Sequence, residues 1–174
     1  MRILAIRGEN LASLAAPFEL RFDAPPIESS RIFAIVGSTG AGKSTILDAL
    51  CLALFHRTPR LGAMAGGTDV SDGAGERIKS YDPRALLHRG ATSAFAECEF
   101  EGQDHGRYRA RWSVRRAKSG RLQPAKPELF HLESGVAIGR TKGEVSAEIG
   151  ERLGLDFEQF RRSVLLAQGD FAAF

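Results

Sequence analysis

The sequence has no long apolar run. Its opening stretch, Met1 to Leu14, interrupts its hydrophobic residues with Arg2, Arg7 and Glu9, and no later segment offers the roughly 20 consecutive apolar residues that cross a bilayer. Neither a signal peptide nor a membrane anchor is expected, so no membrane partner is either. Cysteine is nearly absent. Cys51 and Cys98 stand far apart and without metal-ligand spacing, which argues against a disulfide scaffold or a zinc site and suits reduced, packed thiols in a cytoplasmic protein. The histidines His56, His88, His105 and His131 are equally scattered, so surface or packing roles are expected for them. The chain also lacks an N-K-x-D guanine reader and a strand ending in paired carboxylates. Asp72-Gly-Ala-Gly75 matches D-x-x-G but follows no buried strand, so it reads as a turn. Asp156, at the end of Leu153-Gly-Leu-Asp156, is better explained as a helix cap than as a metal ligand.

What is present fits one globular domain over residues 1–174, with 43% hydrophobic and 26% charged residues. The net charge of +3 is unevenly spread. Residues 107–121 carry seven of the 24 basic side chains and no acidic one; the remainder, with 17 basic against 21 acidic residues, is net negative. Such a local positive patch suggests a polyanionic partner.

The pattern predicts strands over Ile3 to Arg7 and Phe18 to Phe22, the second alternating apolar and charged residues, until Pro25 and Pro26 break it. Ile32-Phe33-Ala34-Ile35-Val36 reads as a strand buried on both faces. A helix is expected from Lys43 to Phe55, ended by Pro59, and residues 62–84 read as a long exposed loop. Ala94 to Phe100 and Arg107 to Val114 should be strands joined by a turn, with another short strand at Leu129 to Leu132. Thr141 with Glu144, and Asp156 with Gln159, have the spacing of capping boxes and predict two further helices.

Between the buried run and the first helix lies Gly37-Ser-Thr-Gly-Ala-Gly-Lys-Ser44, a full P-loop in the right context. Phosphate oxygens need several backbone N–H groups converging on them, and Gly37, Gly40 and Gly42 let the chain turn tightly with no Cβ in the way. Ser38, Thr39 and Ala41 supply the backbone between those glycines. A helix that begins at Lys43 aims unpaired N–H groups and its positive dipole end at the same anion. Lys43 is expected to reach the β- and γ-phosphates of ATP, Ser44 to bind Mg²⁺ through its hydroxyl, and Thr45 to contact the α-phosphate. No catalytic carboxylate is recognisable, so the site reads as half of an ATPase, able to bind ATP but not to turn it over alone.

Four stretches carry a resemblance to a known family: Val36 to Leu50, Phe55-His-Arg-Thr-Pro-Arg-Leu61, Asp82-Pro-Arg-Ala-Leu-Leu-His-Arg-Gly90, and Phe160 to Phe174. The chain resembles the N-terminal ATPase lobe of the SbcC exonuclease subunit family, SMC-like ABC ATPases of DNA repair. The resemblance implies an α/β P-loop NTPase lobe of ABC/SMC-like type, with an antiparallel β portion and a helical segment leading to a coiled coil. It implies that Gln168 is the Q-loop glutamine, close to Mg²⁺ and the γ-phosphate. It further implies ATP-dependent processing of double-stranded DNA ends in a cytoplasmic, nucleoid-associated complex. The partners would be a C-terminal lobe of the same protein, a second ATPase head in a homodimer, and an SbcD-type nuclease subunit. Where some relatives place a nucleotide-contacting Arg, this chain has Asn10-Leu-Ala-Ser13, and no base or ribose contact is assigned there.

In Arg107-Tyr-Arg-Ala-Arg-Trp-Ser-Val114 the strand period puts Arg107, Arg109 and Arg111 on one face and the apolar residues on the other. That face, continued by Arg115 and Arg116, is expected to present a row of guanidinium groups to solvent that can hold DNA phosphates without reading sequence. Two other readings of the chain are an SMC-like chromosome or recombination ATPase without a nuclease partner and, more remotely, a small P-loop kinase.

Overall fold

A computed structural model describes residues 1–30, 32–62, 69–71 and 77–163. In chain order the elements are β1 (Arg2–Glu9), β2 (Phe18–Arg21), α1 (Lys43–Phe55), α2 (Pro59–Gly62), β3 (Asp69–Ser71), β4 (Arg77–Lys79), a 3-10 turn (Pro83–Leu86), β5 (Ser93–Glu101), β6 (Arg107–Arg115), β7 (Lys126–His131), β8 (Ala137–Ile138), α3 (Lys142–Leu153) and α4 (Phe157–Ser163).

Six strands form one antiparallel sheet in the order β2-β1-β5-β6-β7-β8. The sheet is one half of a two-layer fold. Period-two alternation sends Ala94, Ala96, Cys98 and Phe100 of β5 and Tyr108, Ala110, Trp112 and Val114 of β6 into the core. Helix α1 covers β5 and β6, and α3 covers β7. The small side chains of Ala96, Cys98 and Ala110 on the sheet and of Ala49 and Ala53 on α1 are all fully buried in this layer, where small residues let helix and sheet approach closely. Residues Ala49 to Leu54 are buried all the way round, which marks α1 as an interior helix. Cys51 and Cys98 are free, buried thiols in this core, and burial pushes the Cys51 thiol up to about 12 and raises Cys98 as well. Neither is available as a thiolate.

Local signals set the ends of the later helices. Thr141 accepts from the Glu144 amide and Glu144 reaches back to the Thr141 amide, a complete capping box, and Gly154 closes α3 in the left-handed conformation (φ 68°). Asp156 caps α4 in the same reciprocal way with Gln159, at 2.8 and 2.9 Å.

Two expectations need correction. Ile32 to Val36 forms no strand and pairs with none among the described residues; Ile32 and Val36 are 91% and 86% exposed. Phe33 meets Phe22, with ring centroids 5.3 Å apart. The run's composition encodes a preference for burial, but a strand also needs neighbours for its backbone, and no strand of the sheet lies beside it. Residues 62–84 are not one long loop either. They hold the β3–β4 hairpin and the 3-10 turn, whose start Asp82 caps by accepting from the Arg84 amide. Pro59 ends the first helical pattern as expected, yet opens the short α2. Asp72 to Gly75 lies outside the described residues, as do Gln168 and the rest of the chain after Ser163.

Candidate nucleotide site and the charged face

The P-loop stands open at the N-terminus of α1. Gly37, Ser38, Thr39, Gly40 and Ala41 are exposed, Gly42 is buried as the helix N-cap, and Ser44 is exposed in the first turn. Gly40 and Gly42 have φ of 83° and 90°, a region that a side chain makes costly. No side chain caps this helix and its first turn holds no acidic residue. Its leading N–H groups and the dipole are therefore left for an external anion. The Lys43 ammonium donates to the Gly37 and Ser38 carbonyls, both at 2.8 Å, so the loop wraps around its own cation. The exposed Ser44 hydroxyl on this turn is a hard oxygen donor of the type Mg²⁺ takes. Thr45 is buried, 2% exposed, and its Oγ1 lies 3.4 Å from Ser13 Oγ. It faces the loop of residues 10–14 instead of the open side.

With that geometry in place, the comparisons decide the family. A family model described as an AAA domain matches residues 5–174. The chain belongs to the AAA-domain family. It is 50% identical over 177 residues to the C subunit of nuclease SbcCD from Rhodobacter capsulatus, across 100% of this chain. It is 49% identical over 178 residues to the protein of the same name from Pseudomonas aeruginosa, again across 100% of this chain. It is 32% identical over 143 residues to the DNA double-strand break repair Rad50 ATPase of Methanopyrus kandleri, across 79% of this chain. The chain spans 14%, 15% and 13% of the length of these relatives, respectively.

The outer face of this AAA domain's sheet is not a free arginine row. Arg107, Arg109 and Arg111 do share one face, but in register they oppose Glu101, Glu99 and Glu97 of β5. Glu97 is 5% exposed and is held by Arg111 at 3.0 Å and Arg7 at 3.1 Å. Arg7 also grips Glu99 at 2.7 Å and Glu19 at 2.8 Å. Burial lowers the Arg7 pKa, but hydrogen bonds to Glu99 and Glu19 outweigh it and leave it raised. Arg111 lies 4.2 Å from the Phe95 ring centroid and Arg109 lies 5.2 Å from that of Phe130. The face is thus a charge-paired ladder with aromatic supports. It opens into a groove of about 1020 Å³ lined by Phe95, Glu97, Arg109, Arg111, Arg115 and Lys126 among others. Arg107 and Arg115 are exposed at opposite ends of β6; Arg115 bonds the neutral Gln123 and Arg116 donates to the Gly120 carbonyl.

Sequence reasoning passed over Glu97, whose partners sit on other strands. It assigned no contact to Ser13 and only a surface or packing role to His88, and it did not single out Leu14; the fold sets Ser13 and Leu14 against the start of α1, with His88 bonded to their loop. One signal was readable: Asn10 is among the residue types that tolerate φ > 0, and it adopts 55° here. Among the described residues no group of three or more His, Cys, Asp or Glu could hold a metal, and no helix is long and apolar enough to cross a membrane.

Proposed function

We propose that this chain is the ATP- and Mg²⁺-binding half of an SMC-like DNA-repair ATPase head, which controls ATP-dependent processing of double-stranded DNA ends by a partner nuclease. The observation that carries the reading is the uncapped, acid-free start of α1 behind an exposed glycine loop, with Lys43 folded into it. Such a start suits a triphosphate, whose charge the helix dipole and Lys43 would neutralise together. Lys43 would hold the β- and γ-phosphates, and Ser44 would ligate Mg²⁺ with Gln168 as a second metal contact; the ion would supply neutralisation of phosphate charge. The DNA-repair context comes from the names of the similar proteins, the C subunit of nuclease SbcCD and the Rad50 ATPase. On that basis the partners are a C-terminal lobe, a second head in a homodimer, an SbcD-type nuclease and duplex DNA. The DNA contact would lie along β6 and touch phosphates only, with the exposed Arg107 and Arg115 as its principal groups and Arg109, Arg111 and Arg116 beside them.

Titration calorimetry with ATP and Mg²⁺ tests the reading. Lys43→Ala removes charge-assisted contacts worth about 1.5–3 kcal/mol, so affinity falls ten- to a hundredfold or more. Equal affinity of both proteins would dismiss the P-loop as the ATP site.

A further inference from the structure

The loop of residues 10–14 is folded in an unusual form. Asn10 and Ala12 have φ of 55° and 46°, and for Ala12 that left-handed conformation is costly. The loop closes on itself through paired bonds between Leu11 and Leu14 at 2.7 and 2.8 Å. Its outward face touches the P-loop. Ser13 Oγ lies 3.4 Å from Thr45 Oγ1, and Leu14 packs so tightly on Gly42 that a Cβ there would collide with Leu14 Cδ2.

What holds the strained form is the end of the 3-10 turn and the residues just after it. The Ala12 amide donates to the Leu86 carbonyl at 2.7 Å, and the His88 amide donates to the Asn10 carbonyl at 2.8 Å. His88 adds a side-chain bond, with Nδ1 2.6 Å from the Ala12 carbonyl oxygen. A carbonyl only accepts, so Nδ1 carries the hydrogen and donates to the residue in the left-handed conformation. Leu86 and Leu87 are buried beneath, anchoring the segment in the core.

We propose that His88 is a positioning residue for the P-loop: by fixing the left-handed turn at Ala12, it sets Ser13 against Thr45 and Leu14 against Gly42. This rests on the reading of the P-loop as the ATP site. The hydrogen bonds of His88 go to the loop of residues 10–14 and not to the P-loop, so it acts through that loop. It also gives a function to part of residues 82–90, a stretch that phosphate binding alone does not use.

The test is ATP binding, in the presence of Mg²⁺, by the wild-type chain and by His88→Ala, His88→Asn and Lys43→Ala. His88→Ala is expected to weaken affinity about three- to tenfold, the effect of one lost hydrogen bond. His88→Asn, whose amide nitrogen can donate from the place of Nδ1, should recover most of it. If Lys43→Ala binds like the wild type, the ATP reading itself fails. If Lys43 matters and His88→Ala matches the wild type, only the role of His88 is overturned. Equal weakening by Ala and Asn also overturns it, because lost ring packing would then be the cause. Should His88→Ala not fold, hydrogen exchange in the wild type decides. Coupling is reciprocal, so ATP must slow exchange of the Ala12 and His88 amides, and unchanged rates overturn the proposal.

Discussion

His56 shows how one residue can carry a pH dependence that its sequence neighbours do not announce. It caps α1 in the left-handed conformation (φ 59°), donating its amide to the Leu52 carbonyl, and is 8% exposed. The Ser146 hydroxyl donates to the Lys142 carbonyl at 2.9 Å, so at 3.2 Å it accepts from His56 Nδ1, which must carry the hydrogen. Among the described residues Nε2 is buried without a hydrogen-bond partner. Burial, and then the Lys142 charge, push the His56 pKa down to about 4. The native state therefore keeps His56 neutral while the unfolded chain takes up a proton near pH 6.5. The stabilisation is complete above that pH and is lost as pH falls from about 6.5 towards 4, roughly 2 kcal/mol of it by pH 5. Urea midpoints at about pH 7 and pH 5 should show this loss in the wild type and a clearly smaller one in His56→Gln. Identical pH dependence in the two proteins would remove His56 as its source.

The outer sheet face separates what an arginine does for the fold from what it offers a ligand. Alternation along β6 was legible, and the arginines do share a face; the glutamates opposite them were not, because register is set between strands. Replacing Arg111 by Glu would place a third carboxylate beside Glu97 and Glu99. The buried Glu97 would keep Arg7 and, more distantly at 3.9 Å, Arg109, so the fold should be destabilised by about 2 kcal/mol or more. The DNA test therefore belongs to Arg107 and Arg115, which are exposed and, among the described residues, make no ion pair with the ladder's glutamates. In the complete ATP-bound head, converting both to Glu is expected to weaken duplex binding equally for unrelated sequences. It should also flatten the salt dependence by roughly one unit of slope for each phosphate no longer neutralised. A wild-type slope in the double variant would leave the face with a purely structural role. The same distinction explains Ile32 to Val36, whose apolar character is an intrinsic property while its exposure depends on neighbours it does not have here.

At the scale of the molecule, a phosphate cradle faces outward from a fold whose described residues hold no group of three or more His, Cys, Asp or Glu that could bind a metal ion. Phosphoryl transfer depends on positioning and on neutralising charge around the γ-phosphate, and it needs a group to orient the attacking water. The isolated chain should therefore bind ATP and release phosphate at a negligible rate. Adding the proposed C-terminal lobe as a separate chain should restore turnover, with a steep dependence on protein concentration because two heads must meet. A phosphate-release assay on both samples distinguishes the outcomes; robust turnover by the 174-residue chain alone would mean that it holds its own catalytic carboxylate.

Local interactions were written in the sequence. The P-loop, the limits of α1, the capping box at Thr141, the reciprocal cap at Asp156 and the β5–β6 pair all follow from short-range spacing, since each depends on contacts within a few residues or on a period of two. The tertiary structure alone decided which charges neutralise each other across β1, β5 and β6. It alone left Ile32 to Val36 unpaired, and it brought His88 and Ser13 to the flank of a P-loop that lies far from both in sequence. Those outcomes depend on register and packing between distant segments, and no local pattern in either partner encodes the other.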